Sequence, residues 1–554
     1  MLKKITKSMV LLIMTLGLIA GCGTKKVEVE KIDANPKGDN VVQEVVDAIT
    51  SQPGTLDPAV CNGIDEMNID AMMFEGLYRK GLNGQVELGM AEEVNKSPDN
   101  LTYTFKIRKD ARWSEGKPLT AYDFEYAWKR VITPGFETDV DYMMYFIKNA
   151  EKYKKGESKE VGIKAIDANT LEVKLEKPTP YFEQILTFHS YYPVRKDIVE
   201  KDPKNWWSKE ETLIGNGPFK LSKWEKGTNI PFIEVVKNES YWDSKNVKLN
   251  KVTTKVIDGA EAQWESFRQG KIDIGLLIPK DKDINQLLED KQIVSAPTLT
   301  TEYYQFNLAR KPFDNIKVRK AISMVIDRQK IITDVKKGAK PATGYVPYGI
   351  PDTTSGQDFR QVGGNLINPE VTEAPIKEAQ KLLAEAGYPG GKGFPKIKLI
   401  VNNTTRNNEI ASIFKENLKK NLNIDVEVVS LETDLFKKER DREENFDITR
   451  VNWVADFADA SNFLEVLVSD SSNSKGSWAN KEYDKLVTDA SKTLDEAARM
   501  EKLHQAEKIM IDDACIMPIY FDSNIYYFKP YVMNFTRSSL EEKNFRIVYI
   551  DKKN

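Results

Sequence analysis

This 554-residue chain offers few side chains specialised for chemistry. Histidine occurs twice, at His189 and His504, far apart in sequence. A His-rich metal site is therefore not expected, and Ser-His or Cys-His catalysis has few options. His189, among aromatic neighbours, reads as a packed histidine. His504, inside an amphipathic helical pattern, reads as half-packed. Three cysteines do not make the disulfide framework of a small secreted protein; Cys61 and Cys515 could pair if they met in space, and buried free thiols are the preferred reading. The chain contains no GxxxxGK[ST] phosphate loop, no HExxH pair and no GxSxG elbow. The run Gly387 to Gly393 is glycine-rich but follows a helical pattern, whereas a phosphate cradle needs the helix N-terminus after its glycines. With 84 acidic residues, sequence spacing does not single out an acid/base pair. Nine tryptophans and 22 tyrosines could wall a sugar-binding cleft, although core packing accounts for most of them.

The elements that must position any site belong to a globular α/β chain. Apolar residues make up 40% and charged residues 30%, and the length suggests about three domains. Lysine plus arginine is 81 against 84 acids, a formal net charge of −3, which opposes polyanion binding and nucleic-acid partners. Leu101–Ile107 and Leu171–Leu175 alternate apolar and polar residues as half-buried strands do. Thr120 with Asp123 opens a helix running to Arg130. Residues 375–386 read as a helix closed by Gly387. A strand at 397–401, a helix at 409–420 and a strand at 423–429 predict a β-α-β unit and a parallel sheet. Residues 495–513 read as a long amphipathic helix.

The N-terminus reads as an address. Lys3, Lys4 and Lys7 precede an apolar run, Met9 to Ile19, too short for the roughly 17–25 residues that span a bilayer. Ala20-Gly21-Cys22 resembles a bacterial lipobox. That resemblance implies cleavage before Cys22, lipidation of its sulfur and firm attachment to a membrane. Losing residues 1–21 removes three lysines and takes the charge from −3 to −6. Residues 22–40 are too polar to form a core and read as a tether. The mature protein is expected at the outer face of the cytoplasmic membrane, extracellular or periplasmic.

Along residues 41–554 a series of motifs resembles one family. Thr55-Leu56-Asp57-Pro58 and Phe74-Glu75-Gly76-Leu77-Tyr78 open the series. Ala111 to Phe124 follows, then Gly215 to Phe219, Asn238 to Trp242 and Arg310 to Phe313. Ala379 to Gly387, Trp453 to Phe457, Ser469 to Asn473 and Tyr483 to Leu486 complete it. Each is weak alone, but their order and spacing are specific. The chain is identified as a member of the solute-binding proteins of peptide and nickel ABC importers, family 5, among the oligopeptide-binding proteins. The resemblance implies a periplasmic-binding-protein-like clam of two lobes and three domains. Residues 41–75, 205–305 and 523–554 would form a discontinuous first lobe, 76–204 its accessory domain and 306–522 the second lobe. Hinge crossings are expected near 303–307 and 522–524. It implies a monomeric receptor without catalysis or cofactor, delivering oligopeptides to permease and ATPase subunits.

Its binding residues carry over by position. Backbone pairing by strand addition accepts any side chain. A buried ammonium needs a partner, and Asp456 matches the family acid that pairs with the peptide α-ammonium. Asn452, Trp453 and Val454 would bond the peptide backbone on one side and Asn62, Gly63 and Ile64 on the other. Arg450 matches an arginine that meets the carboxylate of short peptides, with a structural ion pair as the other reading. Tyr145 (or nearby Tyr142), Tyr304, Gln305 and Trp453 are expected as pocket walls. Thr433 stands where the family has a pocket tryptophan, Asn407 where it has a histidine, and residues 344–356 diverge. Peptide length and side-chain taste are therefore open. So are a nickel complex, a sugar oligomer or a signalling peptide as ligand, and, outside the family, a secreted hydrolase or an adhesin or chaperone.

Overall fold

A computed structural model describes residues 41–552 except 82–84, 281, 354–356, 443–444 and 472–475. The leader, Cys22 and the tether lie outside the described residues. Among the described residues five sheets form, and the three larger ones organise the chain. The first joins β1 (Glu44–Ile49), β8 (Lys251–Val256), β7 (Phe232–Lys237) and β6 (Phe219–Glu225), in that order. The second joins β2 (Ala91–Lys96), β3 (Thr102–Ile107), β5 (Thr170–Lys174) and β4 (Ile163–Asp167). The third, of seven strands, is built on β9 (Val294–Phe306) and β13 (Ile516–Phe528). It continues from β9 through β12 (Ile448–Val454) and β10 (Ile397–Asn402) to β11 (Val426–Leu431).

Local chemistry explains several boundaries. Asn62 and Gly63 lead into α1 (Ile64–Met73). Helix α2 (Ala121–Val131) starts where the Thr120 N–H donates to Asp123 Oδ2 at 2.8 Å, and buries Phe124, Ala127 and Trp128. Helix α3 (Glu373–Glu385) ends before Gly387, whose φ of 97° suits a residue without Cβ. Helix α4 (Thr405–Leu422) starts four residues earlier than its apolar pattern suggested, because the Thr404 side chain caps the Asn407 N–H at 3.2 Å. Asn423, left-handed at φ 56°, stops it and delays β11 to Val426. The crossover is parallel, with Ile397 opposite Val426. Helix α5 (Glu496–Asp512) is capped by Asp495. Cys61 and Cys515 are both buried and unpaired with each other.

Packing divides the molecule. The first two sheets share one apolar cluster. The third is covered on both faces: Tyr304 and Phe306 of β9 enter one cluster, Leu299 and Tyr303 another. Among the described residues between 306 and 522, Phe457 alone is buried in the first cluster. Strands β9 and β13 run through both halves. Their pairing stops after Pro297–Ser523 and resumes at Thr301–Phe521. Residues 303–306, where a crossing was expected, are instead paired on both sides inside the sheet, with β12 and β13. The break lies earlier, at 298–300, opposite Asp522.

Candidate functional site

Strand β12 has two unlike edges. On one it pairs with β9 along its whole length, from Ile448–Phe306 to Val454–Thr300. On the other, β10 meets only Ile448 and Thr449. Among the described residues, 450–454 therefore have no strand on that side. The open stretch is accessible: Asn452 is exposed, Val454 is 55% exposed and Trp453 partly so. An unpaired edge invites an extended chain to bond to it.

Past that edge the Ala455 N–H donates to the Leu299 carbonyl at 2.8 Å, and the chain turns Asp456 inward. Asn462 Oδ1 fixes the turn, accepting from Trp453 Nε1 at 3.0 Å and from the Asp456 N–H at 3.3 Å. The carboxylate takes one hydrogen bond across the cleft, from the Tyr142 hydroxyl to Asp456 Oδ1 at 3.2 Å. No lysine or arginine among the described residues forms an ion pair with it. Burial raises its pKa above the ordinary aspartate value, against the hydrogen bonds from Tyr142 and Asn462. A half-buried carboxylate left without a cation is the electrostatic half of an ion pair.

The opposite wall carries Asn62, Gly63 and Ile64. Asn62 Nδ2 donates to Asp139 Oδ2 at 3.0 Å, three residues before Tyr142, so the turn at 139–145 touches both walls. Asn62 is exposed and Ile64 is 41% exposed. Gly63 departs from its expected role. Its N–H donates to Glu66 Oε2 at 3.1 Å and is thereby taken, while its carbonyl accepts from the Met67 N–H at 2.9 Å and keeps its second acceptor site. The missing Cβ instead makes room for Glu66, whose Oε2 would lie 3.1 Å from it.

Of the two candidate tyrosines, Tyr142 reaches Asp456. Tyr145 donates to Asp141 Oδ2 at 3.1 Å, and burial with Asp141 pushes its pKa up to about 12. Tyr304 and Gln305 are corrected as pocket walls. Tyr304 is 1% exposed and packs 5.3 Å from the Phe414 ring, while Gln305 is 0% exposed. A strand covered on both faces leaves neither parity of residues facing a cleft.

Arg450 is corrected as well: the ion-pair reading prevails. Its Nε and Nη2 donate to the two oxygens of Glu302 at 2.5 and 2.6 Å. Glu302 is 3% exposed, and stripping a partner from a buried pair costs about 3–5 kcal/mol. In the ligand-free structure Arg450 is therefore held by Glu302. Nη1 reaches Asn402 Oδ1 at 3.4 Å, and the same oxygen accepts from Asn407 Nδ2 at 2.7 Å. Thr433 is exposed at the start of a helix, Thr433–Asp441.

Sequence reasoning missed Glu302, Asn462 and Phe457. Glu302 and Arg450 are 148 residues apart and no local pattern joins them. Phe457, next to Asp456, stacks on Tyr181 at 4.7 Å and meets Phe146 edge-on at 6.3 Å. His189 is 4% exposed, and burial lowers its pKa to about 4. No group of three His, Cys, Asp or Glu among the described residues is placed to hold a metal, and no described helix is long and apolar enough to cross a membrane.

The chain is 34% identical over 482 residues to the dipeptide-binding protein DppE of Bacillus subtilis, covering 86% of each. It is 32% identical over 515 residues to the periplasmic oligopeptide-binding protein OppA of Salmonella typhimurium, covering 91% of each. Among solved structures it superposes on the periplasmic murein tripeptide-binding protein MppA in its unliganded open form with a TM-score of 0.81, at 32% identity, covering 92% of this chain and 98% of that one. For Haemophilus influenzae OppA in complex with the peptide RPPGFSPFR the TM-score is 0.67, at 30% identity, covering 93% and 100%. The fold is thus the two-lobed, periplasmic-binding-protein-like α/β clam. The family model "Bacterial extracellular solute-binding proteins, family 5 Middle" matches residues 85–475. With that match and these relatives, the chain belongs to the family 5 bacterial extracellular solute-binding proteins.

Proposed function

We propose that this chain is the extracytoplasmic peptide receptor of an ABC importer. It captures oligopeptides between its lobes and presents them to a permease driven by a separate ATPase. The observation that carries this reading is the conjunction at β12: an edge at 450–454 with no strand partner among the described residues, and just beyond it an Asp456 carboxylate with no cation among them. The edge offers backbone bonds to any sequence and the acid offers a partner to an α-ammonium. The names of the relatives, dipeptide- and oligopeptide-binding proteins, support it.

Residues 41–75, 205–305 and 523–554 serve as the first lobe, 76–204 as its accessory domain and 306–522 as the second lobe. The strand break at 298–300 and Asp522 serves as the hinge. Contacts fall to Asp456, Asn452, Trp453, Val454, Asn62, Ile64 and Tyr142. The higher TM-score to the open, unliganded relative supports an open, ligand-free state, which peptide would close through its differential affinity. A lipid on Cys22 tethers the receptor, a point that mass spectrometry of membrane-extracted protein would test. No catalytic step is needed.

The decisive experiment is calorimetric. Protein stripped of ligand by unfolding and refolding is titrated with a mixed-sequence pentapeptide, its N-acetylated form, and the pentapeptide against Asp456→Ala. Micromolar or tighter binding, lost in both controls, is expected. Equal binding of the two peptides would remove the ammonium anchor and leave a chaperone or adhesin. Peptide hydrolysed on long incubation would point to an enzyme.

A further inference from the structure

We infer that Asn462 is a positioning residue of the binding site: it orients the Asp456 carboxylate and holds it in the charged form that a ligand cation needs. This rests on the peptide-receptor reading above and deepens it. The direction of the Asn462 amide is the first observation. Its Oδ1 accepts two N–H groups, Trp453 Nε1 at 3.0 Å and the Asp456 backbone at 3.3 Å. Both partners can only donate, so the oxygen must be the atom that faces them; a flipped amide would set donor against donor. Nδ2 is left to donate to the Asp456 carboxylate, where its hydrogen bond joins that of Tyr142 in opposing the effect of burial. One side chain thus holds the backbone and the carboxylate of the same residue and ties both to the Trp453 indole.

The second observation is how Asn462 is mounted. It is 7% exposed, on a short helix, Ser461–Leu464. The Asn462 N–H donates to the Asp459 carbonyl at 3.1 Å. Asp459 Oδ1 accepts from the Ser461 N–H at 2.9 Å and from its hydroxyl at 2.6 Å. Arg499 of α5 clamps the same carboxylate, with Nη1 at 2.9 Å and Nη2 at 2.5 Å. Phe463 and Leu464 are buried beside Leu299 and Tyr303 of β9. A side chain on so constrained an element has little freedom to turn its amide elsewhere. The neighbouring charges are engaged with other groups: Asp139 with Asn62, Asp141 with Tyr145 and Lys154, Asp459 with Arg499. Glu465, three residues past Asn462, has its own pKa raised by burial.

The test is a double-mutant cycle, read by calorimetry on the whole, ligand-stripped protein with a mixed-sequence pentapeptide. Asn462→Leu keeps the volume and removes the amide. It is expected to lose about tenfold in affinity at neutral pH, the scale of a hydrogen bond to a charged group. In the Asp456→Asn background the same substitution should cost less than about twofold, because its route to the ligand is already cut. On acidification the affinity of Asn462→Leu should begin to fall at a higher pH than that of the wild type, since a carboxylate that loses a donor takes up its proton sooner. Equal losses in both backgrounds with an unmoved pH midpoint would mark a merely structural residue and overturn the inference. Should Asn462→Leu not fold, Asn462→Ser, whose side chain is one bond shorter, serves with the same two expectations. Wild-type binding that Asp456→Asn does not weaken would remove the anchor, and no binding of the pentapeptide at all would remove the receptor reading; either takes this inference with it.

Discussion

At the residue scale, Asp456 is the costly group. Its folded pKa is raised, chiefly by burial, so the folded chain holds this proton more tightly than the unfolded one. The sign follows: its contribution favours folding most below the unfolded pKa and falls as pH rises through the folded value. At pH 7 this acid therefore opposes folding, and its ionised form stands ready for a cation. Asp456→Asn should melt at the same or a higher temperature at pH 7, yet lose peptide affinity by about tenfold or more, as expected where function trades against stability. A melting curve beside a calorimetric titration checks both; a variant that melts lower would contradict the electrostatic account. An α-ammonium should lower the same pKa, so binding near the free-site pKa releases a proton and affinity declines on acidification. Titrations in buffers of different ionisation enthalpy should detect that proton in the wild type and not in Asp456→Asn. The placement of Asp456 just past a strand end was legible in the sequence through its motif, because Trp453 to Phe457 is local. Tyr304, Gln305 and Gly63 were misread because burial on both faces of β9, and the folding back of Glu66, are decided by partners distant along the chain or by side-chain direction.

At the element scale, strand addition has a signature that residue substitution lacks. Along an extended ligand, N–H groups alternate in direction. Those facing 450–454 would bond β12 and the others would not. N-methylation of single ligand amides should therefore weaken binding at every second position, by about fivefold for a bond with a net value of about 1 kcal/mol. A series of singly methylated pentapeptides measures this; an even loss along the chain would argue against backbone pairing with β12. The elements themselves were largely legible where signals are local. Thr120 with Asp123 placed α2, Gly387 closed α3, and the parallel β10-α4-β11 unit followed from periodicity. Caps moved its boundaries, since Thr404 and Asn423 outweigh apolar spacing. The long strands β9 and β13 escaped, because strands covered on both faces lack alternation.

At the scale of the whole molecule, the question is what the lobes turn about. Two strands cross between them, and both lose their pairing at 298–300 opposite Asp522. The family resemblance set one crossing at 522–524, beside this break, and the other at 303–307, several residues past it, since a break in pairing leaves no compositional mark. Beside the break lies a third connection. Ala455 bonds to Leu299, and two residues on Phe457, 7% exposed, lies against Tyr181 and Phe146. Arg499, paired with Asp459, lies 5.5 Å from the Tyr181 ring and backs the same contact. A contact next to a rotation axis moves little as the lobes swing, so, with the strand break as the proposed hinge, the Phe457 stack is expected to act as a pivot kept in both open and closed states. Phe457→Ala removes a buried ring, at a cost of about 3–5 kcal/mol if the site does not collapse. It should also broaden the spread of interlobe distances in the ligand-free protein. The ordering then required on closure should weaken peptide binding while leaving the discrimination against N-acetylated peptide intact. Single-molecule energy transfer between labels on the two lobes, with and without peptide, reads the spread directly. A variant with an unchanged ligand-free distribution and an undiminished affinity would mean that the two strands alone define the axis.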